Sequence, residues 1–378
     1  MTAMKTGKKA EHGRVAYLDG LRGLAVTAVV AFHCLTSVML IPTGGYLGVP
    51  VFFMLSGYLI TNMLWTSGRA PDWSTYRTFI VRRLQRLGPA HLALILTVTP
   101  AAALVGMPWG EAVRASLASA TQTMSLYRGL GWAQQGPLDP TWSLSVEWWF
   151  YLLWPVGLLW GKRHAWTAES VRNAVLILAM ALYGGSLVLP NESFYYLPGP
   201  NLAVLLCGAA VALQRRIRAT SGTAGSSTLL VNIALSLLGV LLVGAGGMFA
   251  PGYRFVVLPC TVAVTALLLN ANAAEAGHAI RILSHPALRF LGVRAYSIYL
   301  WHFALIWLGW EVGSGVGRTW LVVMALSALA PVVWASYRFL ERPWLSATLK
   351  VPDTDPRPEG LINRETSEPE KATVAPPR

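Results

Sequence analysis

The sequence predicts an all-α fold, a polytopic membrane helical bundle with about ten transmembrane helices. Three observations predict it. Of the 378 residues, 54% are hydrophobic and only 12% are charged, against roughly 25% charged in a soluble domain. The apolar residues gather in runs close to the roughly 20 residues that cross a bilayer. Lys and Arg, which give a net charge of +13, fall in short clusters between these runs and alternate from side to side. That pattern excludes a nucleic-acid surface and implies the lipid bilayer as the partner. Cys34, Cys207 and Cys260 lie in apolar segments, with neither metal spacing nor a disulfide framework, so no metal is expected.

Residues 1–14 form a basic N-terminal segment with Lys5, Lys8, Lys9 and Arg14. The apolar run that follows is too long for a signal-peptide core and has no small-residue cleavage site, so it reads as an uncleaved first span. Spans are expected near 18–40, 46–65, 87–106, 142–160, 171–189, 198–213, 228–249, 253–270, 295–312 and 319–339. One side collects the N-terminus, Arg69, Arg77, Arg82, Arg83, Arg86, Lys162, Arg163, Arg215, Arg216, Arg218, Arg281, Arg289, Arg294, Arg342 and Lys350. The other holds mainly Arg114, Arg128, Arg254 and Arg318. The positive-inside rule then puts both termini in the cytoplasm and requires an even number of spans, which ten satisfies. A membrane domain over 15–345 is followed by a tail, 346–378, rich in Pro, Glu, Asp and Thr and expected to be disordered. Thr220 to Ser227 reads as a flexible linker.

Polar groups inside the spans carry the functional signal. Arg22 and His33 are eleven residues apart. At ~100° and ~1.5 Å per residue they share one helix face and stand about 16 Å apart along the axis. Ionisable groups at such depth usually face a protein interior or a wet cavity. Asp19, three residues before Arg22, can neutralise it. Gly20 and Gly23 beside it allow a helix or a ligand to approach the backbone. Ser56 and Gly57 are expected to break the second helix. Arg82, Arg83 and Arg86, in RRLQR, sit at a helix mouth, and the pair Arg83 and Arg86 shares a face suited to a phosphate group. Glu147 lies in the aromatic run DPTWSLSVEWWFY, where a carboxylate needs a partner or a raised pKa, and Tyr151 is one turn away. Trp142, Trp148 and Trp149 fit an interfacial belt or core packing. Tyr296, Tyr299 and His302 form a row in YSIYLWH. Glu341 is expected to pair with Arg338 at i,i+3.

Taken in order, the segments LDGLRG with its R-x10-H pair, FFMLSGYLIT, RRLQRLGP, WSLSVEWWFYL, YSIYLWH and ERP resemble the integral-membrane O-acyltransferases of acyltransferase family three. The family includes acetylases of O-antigens and nodulation factors and tailoring enzymes of actinomycete antibiotics. The resemblance covers residues 15 to 345. It implies about ten spans and transfer of an acyl group from cytoplasmic acyl-CoA, acetyl-CoA or another short acyl-CoA, to a hydroxyl on a sugar. It aligns the family's essential His and Arg with His33 and Arg22, its paired arginines with Arg83 and Arg86, and its carboxylate with Glu147. Many members carry an added extracytoplasmic esterase-like domain, and none is expected here.

On this reading Arg83, Arg86 and Arg82 hold the acyl-CoA. His33 serves as general base on the acceptor hydroxyl or takes the acyl group itself. Glu147 is expected to orient and polarise His33 as a carboxylate does in a triad, and His302 and Tyr299 to meet the acceptor. The acceptor is a hydroxylated sugar, of a glycosylated antibiotic or of a cell-envelope glycan, with the composition leaning to the antibiotic. The competing class is a transporter or flippase, for which intramembrane charges are also expected.

Overall fold

The computed structural model describes residues 4–39, 43–132, 135–222, 225–272, 277–313 and 317–344. The tail expected to be disordered, 346–378, lies outside the described residues. Fifteen α-helices run in order among those described: α1 (Met4–Met39), α2 (Gly48–Thr66), α3 (Trp73–Leu104), α4 (Trp109–Ala120), α5 (Met124–Gly129), α6 (Thr141–Arg163), α7 (Ala168–Ser186), α8 (Asn191–Tyr196), α9 (Pro198–Thr220), α10 (Thr228–Gly244), α11 (Leu258–Leu269), α12 (His278–Leu283), α13 (Pro286–Val293), α14 (Ala295–Val312) and α15 (Arg318–Ala335). No strand occurs among the described residues, only an isolated bridge between Ser226 and Ala271. Each of the ten expected apolar runs is largely helical. Among the described residues, five helical stretches are long and apolar enough to cross a membrane: 16–38, 44–66, 73–104, 191–220 and 318–344. Polar and aromatic residues dilute the hydropathy of α6, α7 and α14. The chain is an all-α protein with several apolar helices of membrane-spanning length.

The elements depart from the sequence reading in three places, each with a local cause. The third helix starts at Trp73, not near residue 87. Asp72 caps it, its Oδ1 accepting from the Thr75 amide at 2.9 Å. Pro89 lies inside this helix without ending it, so RRLQR sits on a continuous helix. Ser56 and Gly57 do not break α2. Gly57 is instead the point where α2 meets α9, since a Cβ there would collide with the Leu205 carbonyl. The segment after α9 is held at its far end, where the Ser226 amide donates to the Asn270 carbonyl at 3.1 Å; Arg215, within α9, donates to the carbonyls of Leu269 and Ala271.

Close glycine crossings set the position of α1. Gly20 faces the Leu283 carbonyl of α12, Gly23 the Leu288 carbonyl of α13, and Gly292 of α13 the Asp19 carbonyl, each too near to admit a Cβ. In a membrane, where burying apolar surface drives helix association little, such small residues let backbones touch. α2 crosses α9 the same way through Gly57 and Gly208. At one end of the bundle, Arg128 binds α5, the start of α6 and α8 together. It lies 3.6 Å from Asp139 and 3.6 Å from Glu192, donates to the Tyr196 hydroxyl at 3.3 Å, and stacks over that ring. Arg254 likewise donates to the Leu187 and Leu189 carbonyls at 2.7 and 2.8 Å, closing the end of α7.

Gly292→Ala is expected to destabilise the protein by about 1–3 kcal/mol or more, because backbone opposes the new methyl. Gly88→Ala, on an open helix face, is neutral or slightly stabilising. Thermal unfolding in detergent separates the two. A second expectation concerns Asp139, in the loop before α6. Burial pushes its carboxyl up to about 7, against the pull of Arg128. The folded protein thus holds this proton more tightly than the unfolded chain, whose value is near the ordinary 3.8. Stability relative to Asp139→Asn therefore falls as pH rises through that window. Melting temperatures of both proteins at about pH 5 and about pH 8 measure it.

Candidate active site

The crossings of α1 turn Arg22 and His33 inward, onto two separate cavities. The first is lined by Arg22, Arg83, Arg86, Glu147, Tyr151 and Tyr296, among others. The second is lined by His33, Tyr46, Asp139, Trp142, Tyr195 and Trp310, among others. Val49 and Tyr299 belong to the walls of both, so the cavities meet across these two side chains. Beyond the first, a further cavity shares Arg83 and Arg86 and adds Arg69 and Arg82. Beyond the second, another shares Thr36, Ser37, Gln135 and Trp310 and adds Arg318. Shared lining residues thus link the four in sequence, with the arginine-rich cavity at one end and the cavity of Arg318 at the other.

The first cavity concentrates positive charge. Arg22 pairs with Asp19 at 3.6 Å, as the i,i+3 spacing predicts. The Arg83 guanidinium lies 5.3 Å from the ring centres of both Phe79 and Tyr151. The Nε of Arg86 is buried and has no hydrogen-bond partner among the described residues. Arg82 does not reach this cavity and lines only the outer one. Three guanidinium groups thus face one carboxylate, Glu147, across a space walled by apolar residues. Such a space suits an anion with several acceptor oxygens.

Glu147 does not touch His33. Its Oε1 accepts from Ser56 Oγ at 2.8 Å and its Oε2 from the Tyr151 hydroxyl at 2.7 Å. The bond to Tyr151 is the one the sequence spacing suggests, whereas Ser56, 91 residues away, carries no such signal. The Glu147–His33 contact expected of a triad is replaced by a place among the arginines. The physical reason is charge: a carboxylate inside the bundle goes where cations and hydroxyl donors compensate it.

His33 finds a different partner. Its Nδ1 is 2.9 Å from the Val29 carbonyl and 3.1 Å from Nε2 of His302. Phe32 and Phe303 pack edge-on against its ring. His302 is buried, and its Nδ1 is 2.7 Å from the Tyr299 carbonyl. His302 therefore lies behind His33, and the expected meeting with an acceptor is not what this geometry offers. Tyr299 stands at the neck between the cavities, its hydroxyl 2.7 Å from Ser143 Oγ and 3.0 Å from the Pro140 carbonyl. The second cavity is strongly aromatic: Trp142 contacts Tyr195 and Tyr196, and Tyr46 contacts Phe32 and Tyr195. Trp142 is thus a wall of this cavity and not part of a surface belt. Glu341 is buried and accepts from Ser297 Oγ, so the expected pair with Arg338 gives way to a hydroxyl from α14. No cluster of three or more His, Cys, Asp or Glu side chains with metal-binding geometry occurs among the described residues.

The chain is 29% identical to the peptidoglycan O-acetyltransferase OatA of Listeria monocytogenes, over 90% of this chain and 57% of that protein. It is 31% identical to YrhL of Bacillus subtilis strain 168, provisionally named a peptidoglycan O-acetyltransferase, over 89% of this chain and 56% of that protein. The chain thus spans somewhat over half the length of these relatives. No solved structure matches it. A family model described as an acyltransferase domain matches residues 15–338, the stretch that holds both cavities and every motif from LDGLRG to the last helix. By that match the chain belongs to the membrane acyltransferases of family three.

Proposed function

We propose that the protein is a membrane O-acetyltransferase that takes an acetyl group from acetyl-CoA at its arginine mouth and delivers it to a sugar hydroxyl reached from the opposite mouth. The observation that carries this reading is the meeting, at Val49 and Tyr299, of a cavity lined by three arginines with a cavity lined by His33. In this reading Arg83 and Arg86, with Arg22 deeper in, bind the phosphates of the donor. Glu147, held by Ser56 and Tyr151, offsets their mutual repulsion and keeps Tyr151 under the Arg83 guanidinium. The pantetheine arm runs inward past Tyr299. Eleven residues of α1, about 16 Å, separate Arg22 from the imidazole that meets the thioester.

His33 removes the proton of the acceptor hydroxyl, and the oxygen attacks the thioester carbonyl. The tetrahedral intermediate collapses, the C–S bond breaks, and the CoA thiolate takes the proton back from the imidazolium. The acceptor occupies the aromatic cavity, where Trp142, Tyr195 and Trp310 offer faces to a sugar ring and Asp139 offers an acceptor for hydroxyl protons. The relatives' names favour a cell-envelope glycan over the glycosylated antibiotic toward which composition leans. Family membership favours the enzyme over a transporter. The alternation of Lys and Arg puts the arginine mouth and both termini in the cytoplasm, with ten crossings, and acetyl-CoA is a cytoplasmic metabolite.

The experiment is turnover by purified protein given acetyl-CoA and a soluble glycan acceptor, with release of free CoA thiol and of acetylated glycan measured together. Absence of both sinks the reading. His33→Ala is expected to lower turnover by at least ~10²-fold while leaving unfolding temperature and CoA binding in place. Arg83→Ala and Arg86→Ala are expected each to weaken CoA binding by about 1.5–3 kcal/mol, roughly ten- to a hundredfold, without weakening acceptor binding. Calorimetric titration of CoA into the variants checks this, and an unchanged affinity would return RRLQR to a topology signal.

A further inference from the structure

We propose that His302 is a positioning residue: its Nε2 accepts the Nδ1–H of His33, which leaves the other nitrogen of His33 bare toward the cavity. The proposal rests on the reading of His33 as the base and adds the group that fixes its tautomer. The argument is one of donors and acceptors. A backbone carbonyl only accepts. The Tyr299 carbonyl lies 2.7 Å from Nδ1 of His302, so the proton of neutral His302 sits on Nδ1 and its Nε2 carries a lone pair. The Val29 carbonyl lies 2.9 Å from Nδ1 of His33, so that nitrogen is protonated as well. The contact of 3.1 Å between His33 Nδ1 and His302 Nε2 is then a hydrogen bond donated by His33, shared with Val29. The reverse assignment would set two bare nitrogens against two carbonyl oxygens, at 2.7 and 2.9 Å, inside an apolar wall.

One tautomer therefore satisfies all three contacts. It leaves Nε2 of His33 without a hydrogen bond among the described residues, on a ring that lines the second cavity. A base must present a lone pair, and the neutral imidazole has one. When Nε2 takes the acceptor's proton, the resulting imidazolium still donates from Nδ1 to His302, so the charge is met by an acceptor without any rearrangement. This is the place that Glu147 was expected to fill. A neutral imidazole avoids the cost of a second buried charge so far from the arginines. Elements α1 and α14 supply the two rings, and His302 is held in turn by the carbonyl of Tyr299, the residue at the neck of the passage.

The test begins with the wild-type protein. Solid-state nitrogen NMR of ¹⁵N-histidine-labelled protein in lipid, with His33 assigned by difference against His33→Asn, is expected to show Nδ1 protonated and Nε2 bare. The opposite tautomer would overturn the proposal without any His302 variant. His302→Leu removes the acceptor and is expected to lower kcat about 10–100-fold, the usual cost of losing a group that orients a functional imidazole, with little change in KM for donor or acceptor. His302→Gln keeps an acceptor oxygen at a similar reach and is expected to recover most of kcat and the wild-type nitrogen spectrum. Wild-type kcat in His302→Leu, or a His302→Gln protein as slow as His302→Leu, would reduce His302 to packing. An active His33→Ala protein would instead defeat the reading of His33 while leaving the nitrogen spectrum to stand on its own.

Discussion

The site depends on the backbone contact between α1 and the short helices α12 and α13. Gly20, Gly23 and Gly292 let these helices touch with no side chain between them. That contact fixes the rotation of α1, and the rotation decides which face of the helix looks inward. Arg22 and His33 share that face because eleven residues make about three whole turns. Had the glycines been larger, α1 would stand off, and an arginine and a histidine would be left to lipid at a cost of several kcal/mol.

The interior then sorts its polar groups by charge. Arg22, Arg83 and Arg86 gather at one cavity, and the carboxylates Asp19 and Glu147 lie with them. Three guanidinium groups against two carboxylates leave an excess of positive charge, which the polyanionic donor of the proposed function would offset. The cavity around His33 has none of these arginines. The polar side chain that His33 meets is a second histidine, and the cavity walls are mainly aromatic, with Asp139 among them. Val49 and Tyr299 thus stand between the cavity of the arginines and the cavity of the imidazole.

Much of this was legible in the sequence, for reasons that can be named. The helical runs, the inward face shared by Arg22 and His33, the Asp19–Arg22 pair and the bond between Glu147 and Tyr151 all follow from spacing within one helix. What spacing within a helix cannot supply is a partner from another helix. His302 lies 269 residues from His33, and Ser56 lies 91 from Glu147. Neither contact leaves a periodic trace, so the sequence alone pairs the carboxylate with His33 and the second histidine with the acceptor, where the structure gives them Ser56 and His33. The Gly20 and Gly23 pair was read as admitting a helix or a ligand, and the backbone of α12 and α13 decides for the helix. The apolar run near 87–106 marks a span and carries no signal of the polar turns that precede it in α3. The Asp72 cap is the local signal for where that helix begins.

On the proposed function, donor and acceptor reach one imidazole from opposite ends of the protein. Proteoliposomes carrying the protein in one orientation test it most directly. Radiolabelled acetyl-CoA is sealed on the side of the arginine mouth, and an impermeant glycan acceptor is supplied only on the side of Arg318. Labelled acetyl esters are expected on the glycan while the donor remains enclosed. Transfer that occurs only when donor and acceptor share a compartment would contradict it.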